Sequence, residues 1–206
     1  MHAASITKSS PKSAPLGLVL MLHGGAENGL EPIDERSLSF RRSRWMMLEI
    51  QRDLHAAGLE VWLLRYAVKG WNAHLTSPVH DARWALDEVR AQHGSLPVVL
   101  LGHSMGGRTA VAVADDPNVL GVVALAPWLP RGEPVDALAG KHLAAAHGRR
   151  DRITRLKDTR YYVARAAEVA ASANLTEMGD LGHYMLRGRG RWNHFAADTS
   201  IQMLVT

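Results

Sequence analysis

A serine hydroxyl is a weak nucleophile until a neighbouring base takes its proton. A chain that uses one must also supply a group that orients the base and donors for the oxyanion that forms. Ser104 is the candidate nucleophile. Gly102-His103-Ser104-Met105-Gly106 reads G-x-S-x-G, between an apolar run, Pro97–Leu101, and an Ala/Val-rich stretch that predicts a helix over 105–114. A serine on a sharp strand-to-helix turn exposes its Oγ beside free N–H groups. Glycine is needed two residues to either side because a side chain there would collide with a neighbouring element.

The acid is sought at another strand end. Asp151 closes His147-Gly148-Arg149-Arg150-Asp151, after an expected strand His142–Ala146. Glu133 and Asp136, after the preceding strand, are the reserve acids, whereas Asp115 and Asp116 fall at the opposite end of the sheet. Eleven histidines compete for the base. His183 follows the last expected strand and lies downstream of Ser104 and Asp151, giving the chain order Ser–Asp–His. His194 is the runner-up, and His23, His103 and His147 read as braces of their loops. The oxyanion donors are the N–H of Met105, next after the serine, and of Gly25 in His23-Gly24-Gly25-Ala26, with Ala26 next in line. Trp128, directly after a strand, is assigned with Ala26 to the substrate pocket, and Trp71 and Tyr184 are further pocket candidates.

These residues need a frame that gathers strand ends. Strands are expected at Leu16–Leu22, Leu59–Tyr66, Pro97–Leu101, Val119–Leu125, His142–Ala146 and Asn174–Met178, and helices over about 44–57, 78–93, 105–114, 157–173 and 191–204. Continuous apolar strands alternating with helices predict an α/β fold: a three-layer α/β/α sandwich with a mainly parallel sheet of about six strands, its chemistry at the carboxyl ends. Residues 1–15 read as a flexible tail and 16–206 as one domain.

The chain has 206 residues and a net charge of +4, but its arginines are scattered, and no basic stripe or module points to nucleic acid. It has no cysteine, which removes disulfides, thiolate metal sites and a cysteine nucleophile and fits a cytoplasmic protein. No apolar run approaches the length of about 20 residues that spans a membrane. Without H-E-x-x-H or a phosphate-binding glycine loop, no metal or other cofactor is expected. The expected partner is a small-molecule substrate, and the oligomeric state is open.

LHGG at 22–25, GHSMG at 102–106, HGRRD at 147–151 and GH at 182–183 stand in the order found in the α/β-hydrolase superfamily, which the chain resembles over roughly 16–204. The resemblance is to small, lidless, esterase-like members, including dienelactone-hydrolase-like ones, although Ser104 stands where true dienelactone hydrolases carry cysteine. It implies a reduced fold without a cap domain, lacking strands before 16, and an open cleft. The implied activity is cleavage of carboxylic esters through a Ser104–His183–Asp151 triad and an acyl-enzyme. A thioesterase, acyltransferase or small peptidase uses the same machinery, and a non-catalytic binding protein on this fold is the alternative from another class.

Overall fold

A computed structural model describes residues 4–205. Seven strands form one sheet: β1 (Ser5–Ser9), β2 (Gly17–Leu22), β3 (Leu59–Arg65), β4 (Val98–His103), β5 (Val119–Leu125), β6 (His142–His147) and β7 (Ser172–Glu177). Their spatial order is β1-β3-β2-β4-β5-β6-β7, parallel throughout except for β1 against β3. The helices are α1 (Leu38–Ala56), α2 (Ser77–His93), α3 (Met105–Ala112), α4 (Leu156–Ala166) and α5 (Arg189–Val205).

The central strands are apolar along most of their length because both faces of the sheet are covered. Leu18, Leu20 and Leu22 of β2 join the core shared with Leu86 of α2, Ala110 of α3 and Tyr162 of α4. Val19 and Met21, pointing the other way, join Met46 and Ile50 of α1 and Trp192 of α5. The result is the expected α/β/α sandwich. Each large aliphatic side chain so buried contributes roughly 1.5–3 kcal/mol.

The strand order also places the site. β2 lies beside both β3 and β4, and the chain leaves it toward β3 before crossing back to β4. Loops leaving the carboxyl ends of β2 and β4 therefore diverge and open a crevice between them. His23-Gly24-Gly25 leaves β2 and Ser104 leaves β4, so the topology sets the two motifs side by side.

Three expectations are corrected. Within the supposed tail, Ser5–Ser9 pairs with β3 from Ser5↔Arg65 to Ser9↔Val61, so the sheet has seven strands and one of them precedes residue 16. Residues 1–3 of that expectation lie outside the described residues. SITKS lacks an apolar run because β1 is an edge strand, held by the backbone ladder and by Lys8 Nζ over the Trp62 ring at 3.9 Å. Helix α1 begins at Leu38 rather than about 44, because Phe40 and Arg42 already face the interior. Helix α4 ends at Ala166 rather than about 173 although its alanines contain no breaker. The Gly140 N–H donates to Val169 O (3.0 Å) and the Ala171 N–H to Lys141 O (2.9 Å), which pulls the chain onto the start of β6.

Residues 126–141, between β5 and β6, hold a single 3-10 turn, Asp136–Leu138, and no inserted lid. No helix among the described residues is long and apolar enough to cross a membrane.

Candidate active site

Ser104 sits between β4 and α3 at φ 56°, ψ −117°, a conformation that L-residues avoid. The flanking glycines make the turn possible. A Cβ on Gly106 would lie 2.0 Å from Leu22 O, and one on Gly102 would lie 2.3 Å from Gly106 O. The turn is pinned by the Ser104 N–H donating to Leu125 O (3.0 Å) and by Ser104 O accepting from the Gly107 and Trp128 N–H groups (both 3.0 Å).

His183 and Asp151 arrive from the loops after β7 and β6. His183 Nδ1 lies 2.8 Å from Asp151 Oδ2, and Nε2 lies 3.0 Å from Ser104 Oγ. A carboxylate only accepts, so Nδ1–H donates to Asp151 and Nε2 is left to accept a hydrogen bond from the Ser104 hydroxyl. Asp151 is well furnished. Its Oδ1 accepts from the Ile153 and Thr154 N–H groups (2.8 and 2.9 Å) and its Oδ2 from the Thr154 hydroxyl (2.9 Å), while His147 Nε2 lies 3.3 Å from Oδ2. Burial alone would raise the Asp151 pKa. Hydrogen bonds from His147 and His183, attraction to His183 and the Thr154 N–H outweigh it and hold the carboxyl well below the usual range.

A second layer of contacts fixes His183 and the two residues after it through their backbone. His103 Nε2–H donates to His183 O (3.0 Å), Arg42 Nε–H to Tyr184 O (3.1 Å) and Arg42 Nη2–H to Met185 O (3.2 Å). Three consecutive carbonyls are thus held from α1 and from the residue before Ser104. Burial, then the His183 and Arg42 charges, push His103 down to about 3, so it is neutral with Nδ1 as its free acceptor.

On the other side, the Gly25 and Met105 N–H groups make no hydrogen bond to another group among the described residues. A side chain at Gly25 would strike Met105 Cε at 2.4 Å and Lys69 O at 2.5 Å, which is why this loop carries glycine. The Ala26 N–H is spent on Lys69 O (3.0 Å), so Ala26 drops out as a donor, and it is absent from the residues lining the cleft. His23 braces the loop as expected: Nδ1–H donates to Gly24 O (2.6 Å) and Nε2 accepts from the Tyr66 N–H (3.3 Å). Burial lowers its pKa to about 4.

Ser104, His183 and Gly25 open onto a cleft of about 930 Å³. Trp128 does not line it. The indole instead stacks on Arg108 (4.6 Å), which also lies over Trp71 (4.1 Å) and pairs with Glu133 (2.7 Å). That ion pair also removes Glu133 from the reserve acids. Asp136 opens the 3-10 turn, and neither it nor Glu133 bonds to His183. His194 is exposed and faces Asp198 (2.8 Å).

Arg42 and Thr154 were not singled out from the sequence. Thr154 carried no more than the chance signal of a hydroxyl three residues after an aspartate. Arg42 carried a better one, because it falls in phase with the buried stripe Met46, Ile50, Leu54 of α1. Among the described residues no group of three or more His, Cys, Asp or Glu side chains is arranged to hold a metal ion.

A model of the family described as serine aminopeptidase, S33, matches residues 65–180, a span that includes Ser104 and Asp151 and stops short of His183. No curated protein matches the chain. Solved structures with the same fold include Est1E of Butyrivibrio proteoclasticus, seen with ferulic acid bound, at 12% identity and TM-score 0.73 over 98% of this chain and 96% of that one. An α/β serine hydrolase without a lid from Xanthomonas campestris matches at 15% and 0.71 over 98% and 90%. A Pyrococcus furiosus esterase matches at 13% and 0.70 over 98% and 92%. The architecture is that of a reduced, lidless α/β-hydrolase.

Proposed function

The chain belongs to the serine aminopeptidase S33 family of serine hydrolases, and from that premise we propose that it cleaves carboxylic esters of small substrates through an acyl-enzyme on Ser104. Ser104 Oγ attacks the ester carbonyl while His183 Nε2 takes its proton. Asp151 holds the imidazole in the tautomer that accepts and then stabilises the imidazolium. The carbonyl oxygen becomes an oxyanion held by the Gly25 and Met105 N–H groups, each worth roughly 3–4 kcal/mol in the transition state. As the intermediate collapses, His183 gives the proton to the leaving alkoxide. His183 then draws a proton from water, whose oxygen attacks the acyl carbon, and the acid departs as Ser104 is regenerated.

The observation that carries this reading is the unbroken line Asp151 Oδ2–His183–Ser104 Oγ, at 2.8 and 3.0 Å, beside two N–H groups without a partner. The test is hydrolysis of short-chain nitrophenyl esters together with labelling by a fluorophosphonate. Both are expected, with the label on Ser104, and Ser104→Ala is expected to lose both. Full activity in Ser104→Ala, or a folded protein that neither turns over nor takes the label, overturns the reading.

A second reading, hydrolysis of aminoacyl amides, is favoured by the family's description and by Glu31 and Asp34, carboxylates on the cleft wall that would attract an ammonium group. Aminoacyl nitroanilides set against nitrophenyl esters separate the two.

A further inference from the structure

Arg42 does more than its two hydrogen bonds to the base loop account for. The residue is 8% exposed, and its third nitrogen, Nη1, is buried with no hydrogen-bond partner among the described residues. Burial lowers the guanidinium pKa, yet arginine starts so high that it stays charged. Among the described residues no carboxylate touches it. Glu49, further along the same helix, attracts it from a distance, but Glu49 Oε1 is taken by Arg189 Nε (3.1 Å) and Oε2 by the Asn193 amide. A buried cation that meets only carbonyl dipoles is costly, and an anion in contact with it would offset much of that cost.

Its position says where the anion would come from. Arg42 forms part of the wall of the Ser104 cleft and also of a neighbouring cavity of about 390 Å³ between α1 and the loop before α5. The two share Arg42, Trp45 and Leu186, so they meet at Arg42. Trp45, Leu48 and Leu186 supply apolar walls beside the Glu49–Arg189 pair, whose charges offset each other, and between such walls a charge–charge attraction is stronger than in open water. On the rest of the cleft wall the exposed Arg36 and Lys69 are balanced by the exposed Glu31 and Asp34, which leaves Arg42 as the uncompensated charge.

We propose that Arg42 is the anion subsite of this cleft, and that the hydrolase prefers esters bearing a carboxylate separated from the scissile bond by an apolar spacer. The inference rests on the esterase reading above and narrows its substrate class. The carboxylate would lie where the two cavities meet and pair with the guanidinium, a small shift of the side chain bringing the unused Nη1–H to it, and would leave the ester carbonyl toward Ser104.

The test compares kcat/KM for matched ester pairs, corrected for spontaneous hydrolysis. One pair is the nitrophenyl monoesters of glutaric and adipic acid against the same compounds with the free carboxyl methylated. The other is a carboxylated nitrophenyl butyrate against its methyl ester. The expected result is a preference of about tenfold or more for the charged member of at least one pair, the range of a charge-assisted hydrogen bond. Arg42→Met is expected to abolish that preference, whereas Arg42→Lys keeps it. Both variants lose rate on every ester, because both release Tyr184 and Met185. Wild-type protein with no preference in either pair, or Arg42→Met with the preference intact, overturns the subsite. If neither variant folds, the wild-type ratios decide. Fluorophosphonate labelling of Ser104 keeps the two readings apart: labelled protein without the preference sinks the subsite alone, and unlabelled folded protein sinks both.

Discussion

Where the chain enters β3, β4 and β6 at their amino ends, the positive-φ positions belong to Gly58 (76°), Gly94 (65°) and Gly140 (71°). At the carboxyl ends the same half of the conformational map holds glycines too, Gly29, Gly132, Gly179 and Gly188, but also Asn72, Thr76, Ser104, Ala126 and Met185, none of them glycine. The polar groups divide the same way. At the amino end Asp116 is buried and fully engaged. Its Oδ1 accepts from the Asn118 N–H (3.0 Å) and Oδ2 from Arg90 (2.7 Å), and Lys141 Nζ caps Asp116 O and Val119 O (3.1 and 2.7 Å). At the carboxyl end Asp151 is equally engaged, yet the Gly25 and Met105 N–H groups, His103 Nδ1 and Arg42 Nη1 beside it have no partner. The amino end has its own unpartnered atom, His93 Nε2, but among the described residues only the carboxyl end holds non-glycine residues at positive φ and gathers its open hydrogen bonds around one serine. Such strain costs on the order of 1–3 kcal/mol per residue and persists where the surroundings over-determine it. The contrast marks the carboxyl end as the working end without reference to any motif.

Replacing one carboxylate at each end should break the symmetry most visibly. Asp151→Asn keeps the shape but no longer dictates the His183 tautomer, and kcat is expected to fall about 10³- to 10⁴-fold. Asp116→Asn, which weakens the pair with Arg90, is expected to leave kcat/KM within about twofold and to cost roughly 1–2 kcal/mol in denaturant unfolding. An equal loss of activity in both variants would mean that the two ends are coupled and the contrast is false.

The next effect is on pH dependence. His23 and His103 are neutral in the folded protein, held to about 4 and about 3, while their unfolded value is near 6.5. The unfolded chain therefore binds more protons below pH 6.5, and stability falls as pH drops from there toward 4 and 3. Asp151 adds to the loss at lower pH: its depressed pKa stabilises the fold above the unfolded value near 3.9, and that contribution fades as pH falls further. Urea melts of wild type and His23→Gln from pH 7 to 4 should show a shallower slope in the variant, by up to about 1.4 kcal/mol per pH unit. Parallel slopes would show that His23 is not the buried neutral group described.

Much of the carboxyl end was legible in the sequence because close approach forces its residue types. Gly102, Ser104 and Gly106 are recognisable since a Cβ at either glycine collides with backbone. His183 and Asp151 could be ordered because parallel strands deliver their loops to one edge. Strand β1 was not legible, since an edge strand held by its ladder needs no apolar signature. Trp128 reads as a cleft residue from its place after β5, but sequence proximity does not say which way the indole turns, and it stacks on Arg108 outside the cleft lining. Arg42 escaped because Arg41 and Arg44 flank it, and only its phase with the buried stripe sets it apart.

The smallest effect is the sharpest test of the comparison, because the same backbone conformation occurs at both ends. Gly94 has φ 65°, ψ −125° and Ser104 has φ 56°, ψ −117°. A Cβ on Gly94 would meet nothing within 4 Å, so Gly94→Ser asks only what the backbone charges for a side chain at that angle. Roughly 1–2 kcal/mol of lost stability is expected, with esterase activity unchanged. Ser104→Gly asks the reverse question where the carboxyl end holds the side chain against that cost. It removes the nucleophile and relieves the strain, and is expected to raise stability by about 1 kcal/mol, the gain being reduced by the lost bond to His183. Thermal melts of the two variants should therefore move in opposite directions. If Ser104→Gly melts lower than wild type, the elbow is not strained, and the functional end differs from the structural one only in its unpaired donors.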